Sequence, residues 1–252
     1  MNKASKTELM VIMASRLLQN NTTVFVGVGS PMLAAALAQR LHAPKMVSIF
    51  EGGSIGPEVS PDFMPYCTQE IRLMRRAFML PSILEVFAFT QRGFIDYAII
   101  GGAQIDRYGN VNSSVINREG GKTRLPGSGG ANAIASLVKR VIVLMPHEKK
   151  KLVENVDFIT SPGNLVRRLP RREHGLLFGK VWKVVTDLAI MSFNERGEMF
   201  LEAIHSGIST DEIVNNTGFD LVIPPNVKVV ELPTAEELQT LSQLDPKKVY
   251  LR

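Results

Sequence analysis

The first fifty residues alternate between apolar positions at helical spacing and short continuous apolar runs. Residues 7–18 carry apolar side chains about one helical turn apart, which predicts an amphipathic helix. Residues 23–28 and 46–50 are largely apolar, which is typical of buried strands, and the alanine- and leucine-rich residues 32–41 between them predict a second helix. Because strand, glycine-rich turn, helix and strand follow in this order, the sequence predicts a parallel α/β sheet.

The same pattern continues to the end of the chain. Strands are predicted at residues 95–100, 140–145, 182–186, 188–192, 199–203 and 227–230, and helices at residues 131–138, 210–215 and 234–244. Thr210, followed by two acidic residues, is the predicted start signal of its helix. Residues 161–179 are predicted to form a long loop. Since no repeat or low-complexity linker interrupts the chain, residues 1–252 are interpreted as one domain with an open, mostly parallel α/β sheet flanked by helices.

Composition narrows the class of protein without indicating a function. Apolar residues make up 45% and charged residues 21% of the 252 residues, as is typical of a globular protein. No run approaches the roughly 20 apolar residues of a membrane helix, and the N-terminus lacks the pattern of an export signal. The single cysteine, Cys67, cannot form an internal disulfide, and we expect it to be partly buried and inert. We therefore expect a cytoplasmic protein with no membrane association.

Charge and histidine spacing argue against two further classes of protein. The net charge of +5 comes from short basic groups that are not interleaved with aromatic residues, so we expect no nucleic-acid partner. This charge is compatible with a phosphate-bearing small molecule but does not by itself indicate one. The histidines are scattered without ligand spacing, and no metal site is predicted.

A carboxylate follows the second predicted strand, in the sequence Phe50-Glu51-Gly52-Gly53. Ligands of open α/β sheets bind at the carboxyl ends of the strands, and glycines beside a carboxylate allow another molecule to approach closely. Taken alone, this position favours a solvated glutamate before a turn over a reactive one.

Two glycine-containing loops are further candidates for binding or catalysis. Residues 101–112 run from Gly101-Gly102 through Gln104 into a polar turn, which by itself favours a loop that satisfies its own backbone. Residues 127–132, Gly-Ser-Gly-Gly-Ala-Asn, precede a predicted helix and could present backbone N–H groups to a phosphate or an oxyanion. A tight connection between strand and helix explains them equally well. Neither the dinucleotide fingerprint nor the P-loop spacing is present.

Taken together and in this order, these segments resemble the family I coenzyme A transferases, and most strongly the B (beta) subunits of the glutaconate branch. The similarity covers nearly the whole chain and includes further family-like stretches at residues 146–149, 156–163 and 216–220. One mild departure is Gly52, where the nearest pattern has serine. The resemblance implies a CoA-transferase-like fold and the exchange of coenzyme A between an acyl-CoA and a carboxylic acid, with glutaconate or another dicarboxylate expected as the acid.

The resemblance also implies a mechanism and a set of site residues. Glu51 matches the nucleophile that forms a mixed anhydride and then a glutamyl-CoA thioester, without a metal or another cofactor, since coenzyme A is a substrate. Gly129 matches the oxyanion-hole position, with Gly130 and Gly127 shaping the loop. Gly52 and Gly53 are expected beside the substrate, and Gln104 and Asn132 are expected to orient it.

A partner is implied as well, and two other functions stay open. The resemblance implies an A (alpha) subunit of similar fold that completes the site in a heterotetramer or larger assembly. Related branches use the same architecture for decarboxylation or hydrolysis of a CoA thioester, and in those the glutamate is typically replaced. A non-catalytic chain that only binds CoA or supports its partner is the third alternative. The presence of Glu51 favours transfer.

Overall fold

The computed structural model describes residues 4–61 and 64–251. The chain divides into two compact units, the first comprising Met1–Ile100 with Pro233–Arg252 and the second Gly101–Leu232. Whether the two units act as one domain stays a prediction. Among the described residues, no helix has the length and apolar character needed to cross a membrane.

The predicted helices and strands are found in the predicted order, and the structure adds α3 and several short strands between them. The helices are α1 (Lys6–Arg16), α2 (Ser30–Leu41), α3 (Ile83–Gln91), α4 (Ala131–Leu137), α5 (Thr210–Asn215) and α6 (Ala235–Leu244). The strands are β1 (Thr23–Val26), β2 (Val47–Ile49), β3 (Tyr97–Gly101), β4 (Gln104–Asp106), β5 (Val111–Asn112), β6 (Val115–Arg118), β7 (Gly121–Arg124), β8 (Arg140–Leu144), β9 (Leu152–Val153), β10 (Leu165–Val166), β11 (Leu169–Pro170), β12 (Val181–Val185), β13 (Ala189–Phe193), β14 (Met199–Ile204) and β15 (Lys228–Val229). Short 3₁₀ helices lie at Ile71–Met74 and Arg171–His174.

The first unit is built on parallel strands covered by helices. β1 pairs in parallel with both β2 and β3, so Phe25 lies opposite Ile49 and Ala98. The helices α1, α2 and α6 pack against one another. Val11 and Leu37 are fully buried in this core, and burial of an aliphatic side chain of this size stabilises the fold by about 1.5–3 kcal/mol. The predicted parallel arrangement of the first strands is confirmed.

Side chains at the helix ends fix the positions of α1 and α6. Ser5 and Glu8 form a capping box at the start of α1, and Thr234 forms another with Glu237 at the start of α6. Arg16, in the last turn of α1, donates from Nε and Nη2 to the two oxygens of Glu237, at 2.7 Å each. Because this pair is bidentate, it sets the orientation of the two helices more firmly than a single contact would.

The second unit contains a mixed set of strands. β12 pairs in parallel with β8 and antiparallel with β13, β13 continues antiparallel to β14, and β14 pairs in parallel with β15. A smaller sheet places β4 between β5, which is antiparallel to it, and β9, which is parallel. The strands predicted at residues 182–186 and 188–192 are confirmed as β12 and β13, which pair antiparallel. The predicted mostly parallel arrangement is also confirmed, since β1–β2, β1–β3, β8–β12 and β14–β15 are parallel pairs whereas β12–β13 and β13–β14 are antiparallel.

The structure corrects several local predictions. The start of α5 is capped by Ser209, whose side chain accepts a hydrogen bond from the backbone N–H of Glu212, and Thr210 is the first residue inside the helix. Residues 161–179 are not a plain loop, because β10 and β11 form a hairpin within them. Cys67 is exposed, so the prediction of a partly buried thiol was wrong.

Helix α3 was not predicted from the sequence. Six of its nine residues are apolar and four of these, residues 86–89, are consecutive, so the sequence shows no regular alternation of apolar and polar positions at helical spacing. The signal that would have found it is the capping box of Ser82 and Glu85, in which each side chain accepts from the other residue's backbone N–H.

Candidate active site

Glu51 lies in a tight turn directly after β2. The N–H of Phe50 donates to the carbonyl of Ser54 at 2.9 Å, and the N–H of Gly53 donates back to the carbonyl of Phe50 at 3.0 Å. We call residues 51–54 the Glu51 turn. The Glu51 side chain is half-buried, and within the described part of the chain it makes no hydrogen bond or ion pair. A carboxylate at the carboxyl end of a parallel strand, with neither oxygen bonded to a described residue, is available to an incoming ligand.

The two glycines of the turn are required by close backbone contacts. Gly53 has φ +103°, and a Cβ atom there would lie 1.9 Å from the carbonyl oxygen of Pro81. At Gly52 a Cβ would lie 2.6 Å from the carbonyl oxygen of Thr68, which accepts the Gly52 N–H at 3.2 Å. A side chain at either position would push away the segments beside the turn. Glycine at both positions lets these segments pack against the turn, and this packing keeps Glu51 in its position.

The glycine loop, residues 127–130, connects to α4 in the second unit. Gly127 has φ +99° and Gly129 has φ +48°, both in the region that favours glycine. The N–H of Gly127 donates to the carbonyl of Ser113 at 2.9 Å, which anchors the start of the loop. The N–H of Gly129 has no acceptor among the described residues, and Gly129 is exposed. Among the three glycines of this loop, Gly129 combines an exposed position with a backbone N–H that has no acceptor among the described residues, so its amide is open to a ligand.

Gln104 is buried and all its polar atoms are engaged. Its Oε1 accepts from Nδ2 of Asn112 at 2.8 Å and from the backbone N–H of Asp157 at 3.1 Å, and its Nε2 donates to Oδ2 of Asp157 at 3.0 Å. Asp157 also accepts from the backbone and side chain of Asn117. We call Gln104, Asn112, Asn117 and Asp157 the amide network. In this arrangement Gln104 stabilises the fold of the second unit before any ligand is present.

Asn132 connects the helix after the glycine loop to the strands beneath it. Its Nδ2 donates to the carbonyl of Thr160 at 2.9 Å. The Thr160 hydroxyl in turn accepts from the backbone N–H of Ser113 at 2.9 Å, and the carbonyl of Ser113 is the acceptor of the Gly127 N–H. Asn132 thus fixes the glycine loop from one side while Gly127 fixes it from the other.

The predicted site residues therefore fall into two groups. Glu51, Gly52 and Gly53 are brought together in the first unit, and Gln104, Asn132 and the glycine loop in the second. That all of them form one site stays a prediction. Sequence reasoning missed Thr160 and Asp157, whose hydrogen bonds position Asn132 and Gln104. The signal was present, because both lie in the family-like stretch of residues 156–163, but no role was assigned to them.

Two of the buried titratable groups outside the predicted site, Asp106 and His147, have strongly shifted pKa values. Asp106 accepts hydrogen bonds from the backbone N–H groups of Tyr108 and Asn110 and from the Asn110 side chain. Burial nevertheless raises the pKa of Asp106 to about 6, against the opposing effect of these hydrogen bonds. His147 is buried between the hydroxyls of Thr186 and Thr217, each 3.0 Å from a ring nitrogen. Burial lowers the pKa of His147 to about 4, so the ring is neutral near pH 7.

The family model of coenzyme A transferases matches residues 7–216, and the chain belongs to this family. Two of its relatives are B subunits of such enzymes. It is 34% identical over 251 residues to the B subunit of 3-oxoadipate CoA-transferase from Pseudomonas knackmussii, covering 98% of this chain and 95% of that one. It is 33% identical over 255 residues to the B subunit of glutaconate CoA-transferase from Acidaminococcus fermentans, covering 97% and 94%.

A solved structure agrees with these relationships. The crystal structure of glutaconate coenzyme A-transferase from Acidaminococcus fermentans is similar to this chain with a TM-score of 0.87 and 30% sequence identity, and the match covers 98% of this chain and 97% of that one. The predicted family and the predicted CoA-transferase-like fold are confirmed.

Proposed function

We propose that this chain provides the nucleophile of a CoA-transferase, and that Glu51 is that nucleophile. The observation that supports the proposal most is the Glu51 turn. There a strand-end carboxylate, without a hydrogen-bond or ion-pair partner among the described residues, precedes two glycines whose close backbone contacts leave no room for side chains. A chain that served only as a scaffold would have no need of such a turn. Covalent catalysis by a carboxylate splits CoA exchange into easier acyl transfers.

The proposed reaction proceeds in four acyl transfers. A Glu51 oxygen attacks the thioester carbonyl of the donor acyl-CoA. The C–S bond breaks, CoA thiolate is released, and a mixed anhydride of Glu51 and the donor acid forms. The thiolate attacks the glutamyl carbonyl, which releases the donor acid and forms a glutamyl-CoA thioester. The acceptor carboxylate attacks the carbonyl of this thioester, the C–S bond breaks, and a second mixed anhydride forms with release of CoA thiolate. The thiolate then attacks the acyl carbonyl of that anhydride, giving the new acyl-CoA and restoring Glu51. No metal or further cofactor takes part in these steps.

Each transfer passes through a tetrahedral oxyanion, for which we propose the Gly129 N–H as a donor. A backbone donor aimed at such an oxygen contributes about 3 kcal/mol to the transition state in other enzymes. Gly129 is favoured over Gly127, since the Gly127 N–H is already bonded to the carbonyl of Ser113. In this proposal Gly127 and Gly130 shape the loop, and Gln104 and Asn132 act by holding the surrounding strands in place.

For the acid substrate we propose a dicarboxylate, with glutaconate as one candidate. Two relatives of the chain are named for 3-oxoadipate and for glutaconate, both of which are dicarboxylic acids. Both are also named as B subunits, so we propose that an A-type CoA-transferase polypeptide joins this chain to complete the enzyme. A closed site at this junction would protect the anhydride from water.

The experiment that tests the proposal uses the complex of this chain with the A-type polypeptide of its source. Glu51→Ala is expected to abolish CoA exchange between glutaryl-CoA and glutaconate or acetate, and Glu51→Asp to leave little of it. Glu119→Ala, which changes an exposed glutamate on the hairpin between β6 and β7, serves as the matched control and is expected to exchange at the normal rate. Exchange at the normal rate by Glu51→Ala would show that the assignment is wrong.

An isotope experiment separates transfer from the other reactions of this fold. With an acceptor acid labelled by heavy oxygen in its carboxylate, the anhydride route leaves one labelled oxygen on Glu51, measured by mass spectrometry of the peptide that contains it. Hydroxylamine inactivation that depends on acyl-CoA is expected alongside. A decarboxylase or hydrolase would convert acyl-CoA without a carboxylate acceptor and would leave Glu51 unlabelled.

A further inference from the structure

A cavity of about 440 Å³ lies within the second unit, lined by residues 164–165, 170–171, 180–182 and 192–197. We call it the Arg171 cavity. These residues come from the β10–β11 hairpin and its end, from the start of β12, and from the end of β13 with the turn after it. The volume is within the range of small-molecule sites, about 300–1,000 Å³. The cavity is built entirely from residues that have no part in the predicted site.

Arg171 brings a buried positive charge to the wall of this cavity. The residue is only 7% exposed. Its Nη1 donates to the carbonyls of Pro162 and Gly163 at 3.1 and 2.8 Å, and its Nη2 donates to the carbonyl of Phe178 at 2.8 Å. Its Nε is buried and has no hydrogen-bond partner in the described part of the chain. The guanidinium is therefore bound by neutral carbonyls and by no carboxylate of the residues described.

The charge of Arg171 lacks a counter-charge for the same reason. Burial lowers the pKa of Arg171 to about 10, and no acidic group opposes this effect, so the guanidinium stays protonated near pH 7. A charge removed from water costs several kcal/mol, and buried charges are normally paired. An anion bound in the cavity would provide the pairing that the fold itself leaves out.

The remaining charged residues of the wall also favour an anion. Lys180 and Arg196 line the same cavity, are exposed, and make no ion pair with a described residue. The acid of the wall is Glu195. Three cations against one acid give the cavity a positive potential, which attracts and holds negatively charged molecules.

The wall carries apolar side chains beside these cations. Leu165, Trp182 and Phe193 line the cavity, and Trp182 and Phe193 are both half-buried. An inorganic ion would gain nothing from such a surface, whereas an organic molecule would bury its apolar part there. The combination therefore favours an organic anion over a simple ion.

The cavity lies away from the glycine loop. Arg171 Nη2 also donates to the carbonyls of Ala135 and Ser136, at 2.9 and 3.3 Å, near the end of α4. The glycine loop precedes the first residue of the same helix. Seven helical residues span about 10 Å, so the loop and the cavity are at opposite ends of α4. A ligand of the cavity would be bound apart from the proposed oxyanion donor at Gly129.

We propose that the Arg171 cavity binds a small organic anion, with its carboxylate or phosphate group at Arg171, Lys180 and Arg196 and its apolar part against Trp182. Both groups match the planar donors of arginine. The proposal goes beyond the proposed function and does not rest on it, because neither Glu51 nor the glycine loop contributes to this site.

The single tryptophan of the chain makes the test specific to this cavity. Because Trp182 lines the cavity, its fluorescence reports binding there without a label. The full chain is titrated with AMP, with benzoate and with inorganic phosphate, using excitation at the red edge of tryptophan absorption. At least one of the two organic anions is expected to give a saturable change with a Kd below about 1 mM, and inorganic phosphate to bind at least tenfold more weakly. The uncharged counterparts adenosine and benzamide are expected to give no saturable change.

A pair of variants tests the cationic side chains. Lys180→Ala combined with Arg196→Ala changes two exposed residues and leaves the buried Arg171 in place, and it is expected to weaken binding of the organic anion at least tenfold. Lys122→Ala, which changes an exposed lysine in β7, is the matched control and is expected to bind as the original chain does.

The outcomes decide both the site and the class of ligand. A response to AMP alone assigns the site to phosphates, a response to benzoate alone assigns it to carboxylates, and a response to both supports an anion site without that distinction. The proposal is overturned by the absence of a saturable change with either organic anion, or by equal responses to the uncharged counterparts. Equal binding of inorganic phosphate, or unchanged affinity in the doubly substituted chain, would overturn it as well. Since no acyl-CoA is present, these outcomes do not depend on the role of Glu51.

Discussion

The Glu51 turn and the amide network hold polar side chains in opposite ways. In the turn, Glu51 is positioned by the close backbone packing that Gly52 and Gly53 allow because they have no side chains. The Glu51 side chain itself makes no hydrogen bond or ion pair to a described residue. In the network, position is set by mutual satisfaction, since Gln104 uses both of its polar atoms on Asn112 and Asp157. A polar group left unengaged at a strand end is available for chemistry, whereas a fully bonded one contributes to the fold.

The comparison is tested most strongly by an alanine at Gly53. Its φ of +103° nearly equals the +99° of Gly127, but a Cβ at Gly53 would meet the Pro81 carbonyl at 1.9 Å while nothing lies within 4 Å at Gly127. Gly127→Ala carries only the backbone cost, about 1–2 kcal/mol. Gly53→Ala adds an overlap that forces backbone movement, so we expect more than about 3 kcal/mol in urea unfolding and a loss of CoA exchange. Equal costs would show that the turn is not sterically locked.

The buried acid and base of the second unit predict opposite pH effects. Between the ordinary pKa of 6.5 and about 4, the unfolded chain protonates His147 and the folded chain does not. Stability therefore falls as the pH falls, by about 3 kcal/mol in total. Asp106, with its pKa raised from 3.8 to about 6, is protonated first in the folded chain. Its contribution to stability rises as the pH falls, also by about 3 kcal/mol.

The pH ranges over which His147 and Asp106 change stability overlap, so their opposite contributions partly cancel. Each contribution becomes visible when the other residue is replaced. His147→Gln is expected to make the chain relatively more stable at pH 4.5 than at pH 7 compared with the original chain, and Asp106→Asn relatively less stable. Urea unfolding at the two pH values measures both. Parallel pH profiles for the two variants would contradict the assigned directions.

A serine at Gly52 tests the smaller of the two steric constraints. Its Cβ would lie 2.6 Å from the Thr68 carbonyl and 2.7 Å from the Cα of Gln69, but its backbone conformation is open to any residue. We expect Gly52→Ser to cost about 2 kcal/mol, within the range of overpacked sites, and to lower exchange because the segment beside Glu51 must move. If the Gly52→Ser variant exchanged CoA as fast as the original chain, the segment at Thr68 and Gln69 would have to adapt freely. The family pattern that carries serine at this position requires such an adaptation.

Local patterns predicted much of this structure, while contacts distant in sequence did not follow from them. The helix at residues 32–41 was predicted from its alanine and leucine content and the strands on either side of it from their continuous apolar runs, and they were confirmed as α2, β1 and β2. The exposure of the large apolar side chains at residues 71–84 was not predicted, because an apolar sequence of this kind is typical of a buried segment. The partners of Gln104 were missed for a related reason: Asp157 is 53 residues away, and no local pattern pairs an amide with a carboxylate at that distance.

The smallest predicted effects distinguish the buried amide from the exposed one. Gln104→Ala removes three hydrogen bonds and leaves the Nδ2 of buried Asn112 with one acceptor fewer, so we expect a loss of about 2 kcal/mol in urea unfolding. Asn132 is exposed and donates one bond to the Thr160 carbonyl, so Asn132→Ala is expected to cost only about 0.5–1 kcal/mol. If both residues act through the fold, exchange should fall in proportion to the fraction unfolded, and the KM for acyl-CoA should stay constant. A rise in that KM with little loss of stability would instead show that the substituted amide contacts the substrate directly. That residue would then belong, like Glu51, to the groups that act on the substrate and not to those that stabilise the fold.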